Sequence, residues 1–146
     1  MEVLDAPVQN DRQLLYAGFW IRVASYLIDA IILGVVNIVL SFIFSGEYNP
    51  FAPNGVLTLV SVVINACYFC GMEASERQAT LGKMIVGVKV GDMNGDRISV
   101  GQAVGRYFAK ILSAFILCIG FMMVGWDARK QGLHDKLANT YVFYAN

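Results

Sequence analysis

The chain has 146 residues, of which 57% are hydrophobic and only 15% are charged, and its mean hydropathy is +0.56. An average soluble domain has roughly 45–50% apolar and about 25% charged residues, so this composition excludes an ordinary cytosolic protein and a disordered chain. The 11 basic residues equal the 11 acidic ones, which leaves no net charge to attract nucleic acid. One domain fits this length, and membrane-spanning segments account for the apolar surplus.

The first part of the chain predicts a polar tail followed by two spans. Segment 1–16 lacks the apolar core of a secretory signal peptide, and we expect a cytoplasmic tail. The nearly continuous apolar run 17–45, at about 1.5 Å per residue, is long enough to cross a hydrocarbon core of roughly 30 Å. Gly46 and two prolines after it end the helix, and a second run at 55–72 contains no charge and meets the minimum length for a span.

The segment 73–103 carries charges of both signs and is predicted to be an extramembrane loop. Its β-rich run Ile85–Val90, a turn signal at 93–96 and the run Arg97–Val100 indicate a small β-hairpin. The turn is not an EF-hand, because its glycine is misplaced and no acidic residue stands at position twelve.

A third helix is predicted at about 104–126, but its charge-free part is short for a span and contains Gly120. The loop between the first two spans has no Lys or Arg, so the positive-inside rule places 1–16 and 73–103 in the cytoplasm. A full crossing of the third helix would put the basic residues of 127–146 outside. Two interpretations stay open: the helix crosses against the rule, or it is re-entrant.

Together these elements predict an all-α integral membrane protein. We expect a tail followed by one membrane domain at 17–146, a small bundle of about three transmembrane helices with a cytoplasmic loop and an amphipathic C-terminal segment. The three cysteines, Cys67, Cys70 and Cys118, all lie in apolar runs, and their odd number argues against a disulfide framework. With no second cysteine pair, we expect no metal and no cofactor.

Polar side chains share one face of the first helix. At 100° per residue this face consists of Arg22, Ser25, Tyr26, Asp29 and Asn37. Asp29 lies about 13 Å beyond Trp20 along the helix axis, close to the bilayer midplane. An ionised carboxylate at that depth is costly unless it is paired, so we expect Asp29 to be protonated or matched to a cation, with Arg22 as the candidate partner.

The other two helices carry further polar stripes, which include Ser61 and Asn65 on the second helix and Arg106 and Asp127 on the third. Helices with one polar face each pack with those faces inward. Such side chains serve either as hydrogen bonds between helices or as a functional site. An intramembrane carboxylate such as Asp29 favours an ion or proton pathway, with a structural ion pair as the alternative.

His134 stands beside Asp135 in the C-terminal segment. A lone histidine can sense pH near neutrality. In the alternative interpretation, Asp135 caps a helix or forms a local salt bridge, and so anchors the amphipathic stretch Leu133–Ala138 under the bundle.

Three motifs resemble the RDD family of prokaryotic membrane proteins. They are AGFWIRVASYLID at Ala17–Asp29, TLGKM at Thr80–Met84 and QGLHDKLANT at Gln131–Thr140. The family is named for one arginine and two aspartates. The resemblance implies that these are Arg22, Asp29 and Asp135, with Asp127 as a weaker match for the second aspartate, and that the protein lies in a prokaryotic inner membrane.

Two functions follow as hypotheses. The first is transport of a small ligand, cation or proton through a site centred on Asp29 and Arg22. About three helices are too few to enclose such a pathway, so transport requires a homo-oligomer or another membrane subunit. The supporting polar residues are Ser25, Tyr26, Asn37, Ser61, Asn65, Arg106, Asp127 and His134.

The second hypothesis is a non-catalytic accessory or scaffold subunit that assembles with another membrane protein. An enzyme is disfavoured, because the sequence has no Gly-rich phosphate loop, no metal cluster and no serine with an obvious base. The expected partners are lipid, further copies of the chain or another membrane subunit, and not nucleic acid.

Overall fold

The computed structural model describes residues 14–46, 55–116 and 119–145. Within these ranges the elements are α1 (Phe19–Ser45), α2 (Gly55–Glu73), α3 (Leu81–Val86), β1 (Val88–Gly91), α4 (Val100–Phe115), α5 (Ile119–Met122), a 3₁₀ turn (Met123–Gly125), α6 (Leu133–Ala138) and β2 (Tyr141–Tyr144). The predicted tail up to residue 13, the helix-breaking stretch 47–53 and Cys118 lie outside the described residues.

Helix α1 has one narrow buried stripe, and its other side chains are mostly apolar and either half-buried or exposed. The stripe consists of Arg22, Ser25, Asp29 and Leu33, spaced three or four residues apart as one face of a helix requires. The helix ends at Gly46, which adopts a left-handed conformation (φ 70°) and donates its N–H to the carbonyl of Phe42 at 3.0 Å. The polar face of α1 therefore packs against protein, and its apolar faces are free to contact lipid.

The described residues contain two candidate membrane spans, or three if a bent pair of helices counts as one. Helices α1 and α2 are long and apolar enough to cross a membrane. The third segment is broken, with an angle of 113° between Val100–Phe115 and Ile119–Gly125. It also starts at Val100 rather than near 104, because Ser99 and Gln102 form a reciprocal capping box there.

The predicted hairpin between Ile85–Val90 and Arg97–Val100 is wrong. The turn itself is present: the Asp92 carboxylate accepts the N–H groups of Asn94 and Asp96 at 2.8 and 2.9 Å. After it, however, Ser99 begins helix α4, so β1 pairs instead with β2, antiparallel and with Val90 opposite Val142. The capping signal at Ser99 prevails over the β-forming side chains before it.

The two-stranded sheet links the start of α1 to the far end of the chain. The N–H of Ala17 donates to the carbonyl of Val142 at 2.8 Å, and the N–H of Tyr144 donates to the carbonyl of Leu15 at 2.9 Å. A small apolar core lies beside these strands and consists of Ala17, Ala74, Val88, Val90, Ile98, Ala103 and Val142. This packing brings α3 against the first half of α1, where the polar stripe lies, and α6 against α4.

Candidate functional site

Six charged side chains from five helices meet near the N-terminal end of α1. They are Arg22, Glu73, Lys83, Arg106, Lys110 and Asp135, and they are called the charged cluster below. All are buried except Lys110, whose side chain is 12% exposed. Charges at this depth must be paired, because removing an ion from water costs several kcal/mol.

Asp135, in the first turn of α6, holds two arginines. Its Oδ2 forms an ion pair with Arg22, and its Oδ1 lies 3.0 Å from Nη2 of Arg106. The same carboxylate accepts the N–H of Gly132 at 3.1 Å, which caps the helix. Although burial raises the pKa of this carboxyl, Arg106 and Arg22 hold it well below its usual range, so Asp135 is ionised.

Glu73, the last residue of α2, holds three cations. Its Oε1 pairs with Lys83 and lies 3.2 Å from Nζ of Lys110, and its Oε2 lies 3.5 Å from Nε of Arg106. Burial lowers the pKa of Lys83, and the Glu73 carboxylate opposes this shift. Because Arg106 contacts both Glu73 and Asp135, the charged cluster is one connected network of four cations and two carboxylates.

The Asp29 carboxylate lies apart from the charged cluster and accepts hydrogen bonds from neutral donors only. Its Oδ1 accepts the hydroxyl of Tyr68 at 2.7 Å and the N–H of Gly82 at 2.8 Å, and its Oδ2 accepts the hydroxyl of Thr80 at 2.6 Å. The Tyr68 hydroxyl also accepts the N–H of Leu81 at 3.0 Å. The Asp29 carboxylate therefore fixes the start of α3 against α1 and α2.

The close approach of α3 to α1 explains the glycine of the TLGKM motif. A Cβ atom at Gly82 would lie 2.2 Å from the carbonyl oxygen of Ser25 and 2.8 Å from the carboxyl carbon of Asp29. Only glycine lets the backbone come this close and present its N–H to the carboxylate.

The expected pairing of Arg22 with Asp29 is wrong. Arg22 donates to Asp135, to the carbonyl of Ala17 at 3.1 Å and to the carbonyl of Lys130. Side chains on a helix lean toward its N-terminus, so the guanidinium points away from Asp29, which lies two turns further on. Asp29 instead accepts hydrogen bonds from Thr80 and Gly82 at the start of α3.

His134 is buried beside the charged cluster, and its ring stacks on Phe121 with centroids 5.0 Å apart. Its Nε2 lies 3.4 Å from Oδ1 of Asp135, and neither ring nitrogen has a hydrogen-bond partner among the described residues. Burial lowers the pKa of His134 to about 3, which the nearby Asp135 carboxylate only partly offsets. The imidazole is therefore neutral at physiological pH.

A loss of stability in mild acid follows from this burial. An unfolded histidine takes up a proton near pH 6.5, so stability falls as the pH drops below 6.5 towards 3, by up to about 1.4 kcal/mol per pH unit. His134 is the only histidine in the chain. We expect His134→Gln to remove most of this slope between pH 6.5 and 5, measured by unfolding in detergent, and the exposed Lys136→Gln to keep it. An unchanged slope in His134→Gln would contradict the assignment.

Of the other residues of the predicted site, some lie next to Asp29 or the charged cluster and others lie further away. Ser25 donates to the carbonyl of Arg22 at 2.7 Å and lies under Gly82. Asp127 forms a separate ion pair with Lys136. Lys136 and the N–H groups of Gln131 and Arg129 lower the pKa of Asp127 through hydrogen bonds.

Asn37, Ser61 and Asn65 lie further along the candidate spans, outside the charged cluster. Tyr26 lies under it, with Nζ of Lys83 and Lys110 at 5.7 and 5.4 Å from its ring centroid.

Several contacting residues were missed by the site prediction from sequence. Glu73 is the first charge after the second apolar run, and Thr80, Gly82 and Lys83 all belong to one motif of the resemblance. Among the described residues, no group of three or more His, Cys, Asp or Glu side chains is placed to hold a metal ion. The arrangement consists of ion pairs and hydrogen bonds that join helices.

A profile of the RDD family matches residues 16–139. The chain belongs to the RDD family. The resemblance drawn from the three motifs is thereby confirmed, and the family together with the apolar helices indicates a membrane protein.

Relatives of this RDD chain include two proteins of Bacillus subtilis. The first, "Uncharacterized protein YxaI", is 40% identical over 88% of this chain and 97% of its own length. The second, "Uncharacterized membrane protein YteJ", is 33% identical over 88% of this chain and 81% of its own length. The "Proline-rich antigen" of Mycobacterium leprae is 36% identical over 42% of this chain and 25% of its own length. No solved structure matches the chain significantly.

Proposed function

We propose that this RDD protein is a non-catalytic accessory subunit that assembles with or regulates another protein of the prokaryotic inner membrane. One observation carries the proposal. Arg22, Asp29 and Asp135, the three residues implied by the family name, all make buried contacts that join α1 to the loop and to the C-terminal segment.

The hydrogen bonds of Asp29 argue against its use as a cation site. A carboxylate offers about four lone-pair sites, and three of them are used by Tyr68, Thr80 and Gly82. The charged cluster beside it has more cations than carboxylates, which repels a passing cation. Both features favour a structural role for Asp29, in which it holds helices together, over a role in an ion pathway.

Transport through Asp29 and Arg22 is the second candidate, because Asp29 is fully buried and forms no ion pair among the described residues. A buried carboxyl without a cationic partner suits a proton carrier. With two or three spans per chain, this function again needs several copies or a partner subunit.

Reconstitution of the purified protein in liposomes distinguishes the two functions. With a pH-sensitive dye inside and imposed proton, sodium or potassium gradients, we expect no flux above protein-free liposomes. Purification from native membranes under mild detergent should yield a stoichiometric second membrane protein.

The matched controls are Asp29→Asn and Asp127→Asn, which remove one carboxylate charge each. Flux that is lost in Asp29→Asn and kept in Asp127→Asn would establish transport and refute the accessory role. Purification without any stoichiometric companion would also refute the accessory role.

We place the N-terminus on the cytoplasmic side. The loop that contributes Lys83 carries most of the basic residues between the spans, and basic loops lie on the cytoplasmic side of a membrane.

A further inference from the structure

Strand β2 is hydrogen-bonded both to the loop 73–103 and to the start of α1. It pairs with β1 of the loop, with Val90 opposite Val142, and the carbonyl of Val142 accepts the N–H of Ala17 at 2.8 Å. A hydrogen bond joins two atoms about 3 Å apart, whereas the two surfaces of the hydrocarbon core are roughly 30 Å apart. The start of α1, the loop and β2 therefore lie on one side of the membrane.

The first turns of α4 lie on that side as well. Nη2 of Arg106 lies 3.0 Å from Oδ1 of Asp135, and Nε2 of Gln102 donates to the carbonyl of Ala138 at 3.3 Å. Both contacts join the beginning of α4 to α6, which follows the third apolar segment in the chain. The polypeptide between these contacts starts and ends at the same surface.

The length and the bend of the third apolar segment fit a return to that surface. Helix α4 has 16 residues and is about 24 Å long, which is less than the thickness of a hydrocarbon core of roughly 30 Å. After α4 the segment bends by 113° into Ile119–Gly125. A bend of more than 90° directs the chain back towards the beginning of α4.

Gly120, which interrupts the apolar run, allows this return. A Cβ atom at Gly120 would lie 2.7 Å from Oγ of Ser113 in α4 and 3.0 Å from Cβ of Leu133, the first residue of α6. A larger residue would push the returning chain away from both helices. The glycine therefore lets α5 pack closely between the end of α4 and the start of α6.

Burial along the two long helices also indicates a third segment of limited depth. Within α1 no residue after Leu33 is buried, and within α2 the only buried residue is Glu73, at its end. A third helix that crossed the whole bilayer would pack along its neighbours and bury side chains over their full length.

The basic residues are consistent with the same arrangement. The loop 73–103 contains four basic residues, and segment 46–54 contains none. If the chain returns after α5, then Arg129, Lys130 and Lys136 lie on the side of the loop 73–103. The conflict between a third span and the positive-inside rule is thereby removed.

We propose that residues 100–126 form a re-entrant segment, which enters the bilayer from the side of the loop 73–103 and returns to that side. Helices α1 and α2 are then the two full spans of the described chain, and segment 127–145 lies on the same side as the loop. The opposite half of the bilayer contains no third helix of this chain, so any pathway there needs another subunit. The inference does not depend on the accessory role proposed above.

Labelling with a membrane-impermeant maleimide tests the side of segment 127–145. Three single-cysteine variants, each without the native cysteines, carry Ala145→Cys after β2, Asn94→Cys in the loop, or Ser45→Cys at the far end of α1. All three positions are exposed. Spheroplasts and inverted membrane vesicles are labelled separately, and full labelling after addition of detergent shows that each thiol is reactive.

We expect Ala145→Cys and Asn94→Cys to be labelled in the same preparation and Ser45→Cys only in the other one. Labelling of Ala145→Cys together with Ser45→Cys would show that the third segment crosses the membrane. Labelling of Ala145→Cys in both preparations would also overturn the proposal. Because only the comparison of positions matters, this result does not depend on whether the protein transports an ion or assembles with a partner.

A fourth variant, Phe115→Cys, tests whether the segment enters the bilayer. Phe115 is the last residue of α4, and its side chain is 81% exposed. We expect this thiol to lose labelling in both preparations and to recover it in detergent, because hydrocarbon surrounds it in the membrane. Labelling together with Asn94→Cys would place the segment outside the bilayer, and labelling together with Ser45→Cys would show a full crossing. Either result would overturn the proposal.

Discussion

Replacing Asp135 with asparagine is expected to lower the free energy of unfolding by about 3–5 kcal/mol, because the buried Arg22 loses its carboxylate and the buried Arg106 loses the nearer of its two. Arg22 and Arg106 are both at most 4% exposed, and Asp135 is the only carboxylate that contacts them both among the described residues. An amide keeps the shape of the side chain but carries no charge. Unfolding in mixed micelles with rising sodium dodecyl sulfate measures the loss.

The matched control for this prediction is Asp127→Asn. Asp127 also pairs with a cation, Lys136, but both side chains are partly exposed, and such pairs contribute about 0–1 kcal/mol. If the two asparagine variants are equally stable, the ion pairs of Asp135 do not hold the fold together.

Replacing Gly82 with alanine is also expected to lower the free energy of unfolding, by about 3 kcal/mol or more. The new Cβ would lie 2.2 Å from the carbonyl oxygen of Ser25, and this backbone atom cannot move without bending α1. Any shift that relieves the clash also lengthens the hydrogen bond from Gly82 to Asp29, which is 2.8 Å long.

Gly105→Ala is the control for this change, since a Cβ there meets nothing within 4 Å. Alanine is a better helix former than glycine, so we expect Gly105→Ala to be neutral or slightly stabilising. Equal stability of the two alanine variants in the same unfolding assay would show that α3 does not lie against α1 as described.

The polar face of the first helix is the part of the site that sequence predicts well. Helical periodicity alone groups Arg22, Ser25 and Asp29, and the same three residues, together with Leu33, form the buried stripe of α1. Local rules also predict the amphipathic stretch Leu133–Ala138, which is helix α6, and the turn at 93–96. Each of these features depends on neighbours within a few residues.

The partners of that face are not predictable from a single sequence. Asp135 is 113 residues from Arg22, and Thr80 is 51 residues from Asp29. These pairs meet because β2 pairs with β1 and lies beside the start of α1, and a β-rich pattern of a few residues does not identify the partner of a strand. The hairpin prediction failed for the same reason, since it allowed β1 only a nearby partner.

The apolar composition indicates a membrane protein but does not define its activity, and the exposed surface of the helices explains why. Helices α1 and α2 present apolar faces that suit lipid or another membrane protein equally. The charged cluster occupies one end of these helices and joins them to α3, α4 and α6. The structure therefore supports a membrane domain whose polar residues are used mainly to hold its parts together.

Arg22 holds α1 in place through Asp135 and not through Asp29, and a pair of double-mutant cycles measures to which of the two carboxylates it is coupled. One cycle combines Arg22→Gln with Asp135→Asn, and the other combines Arg22→Gln with Asp29→Asn. We predict a coupling free energy of about 0.5–3 kcal/mol in the first cycle and additivity within about 0.5 kcal/mol in the second. Coupling of Arg22 to Asp29, with additivity towards Asp135, would show that Arg22 does not hold α1 through Asp135.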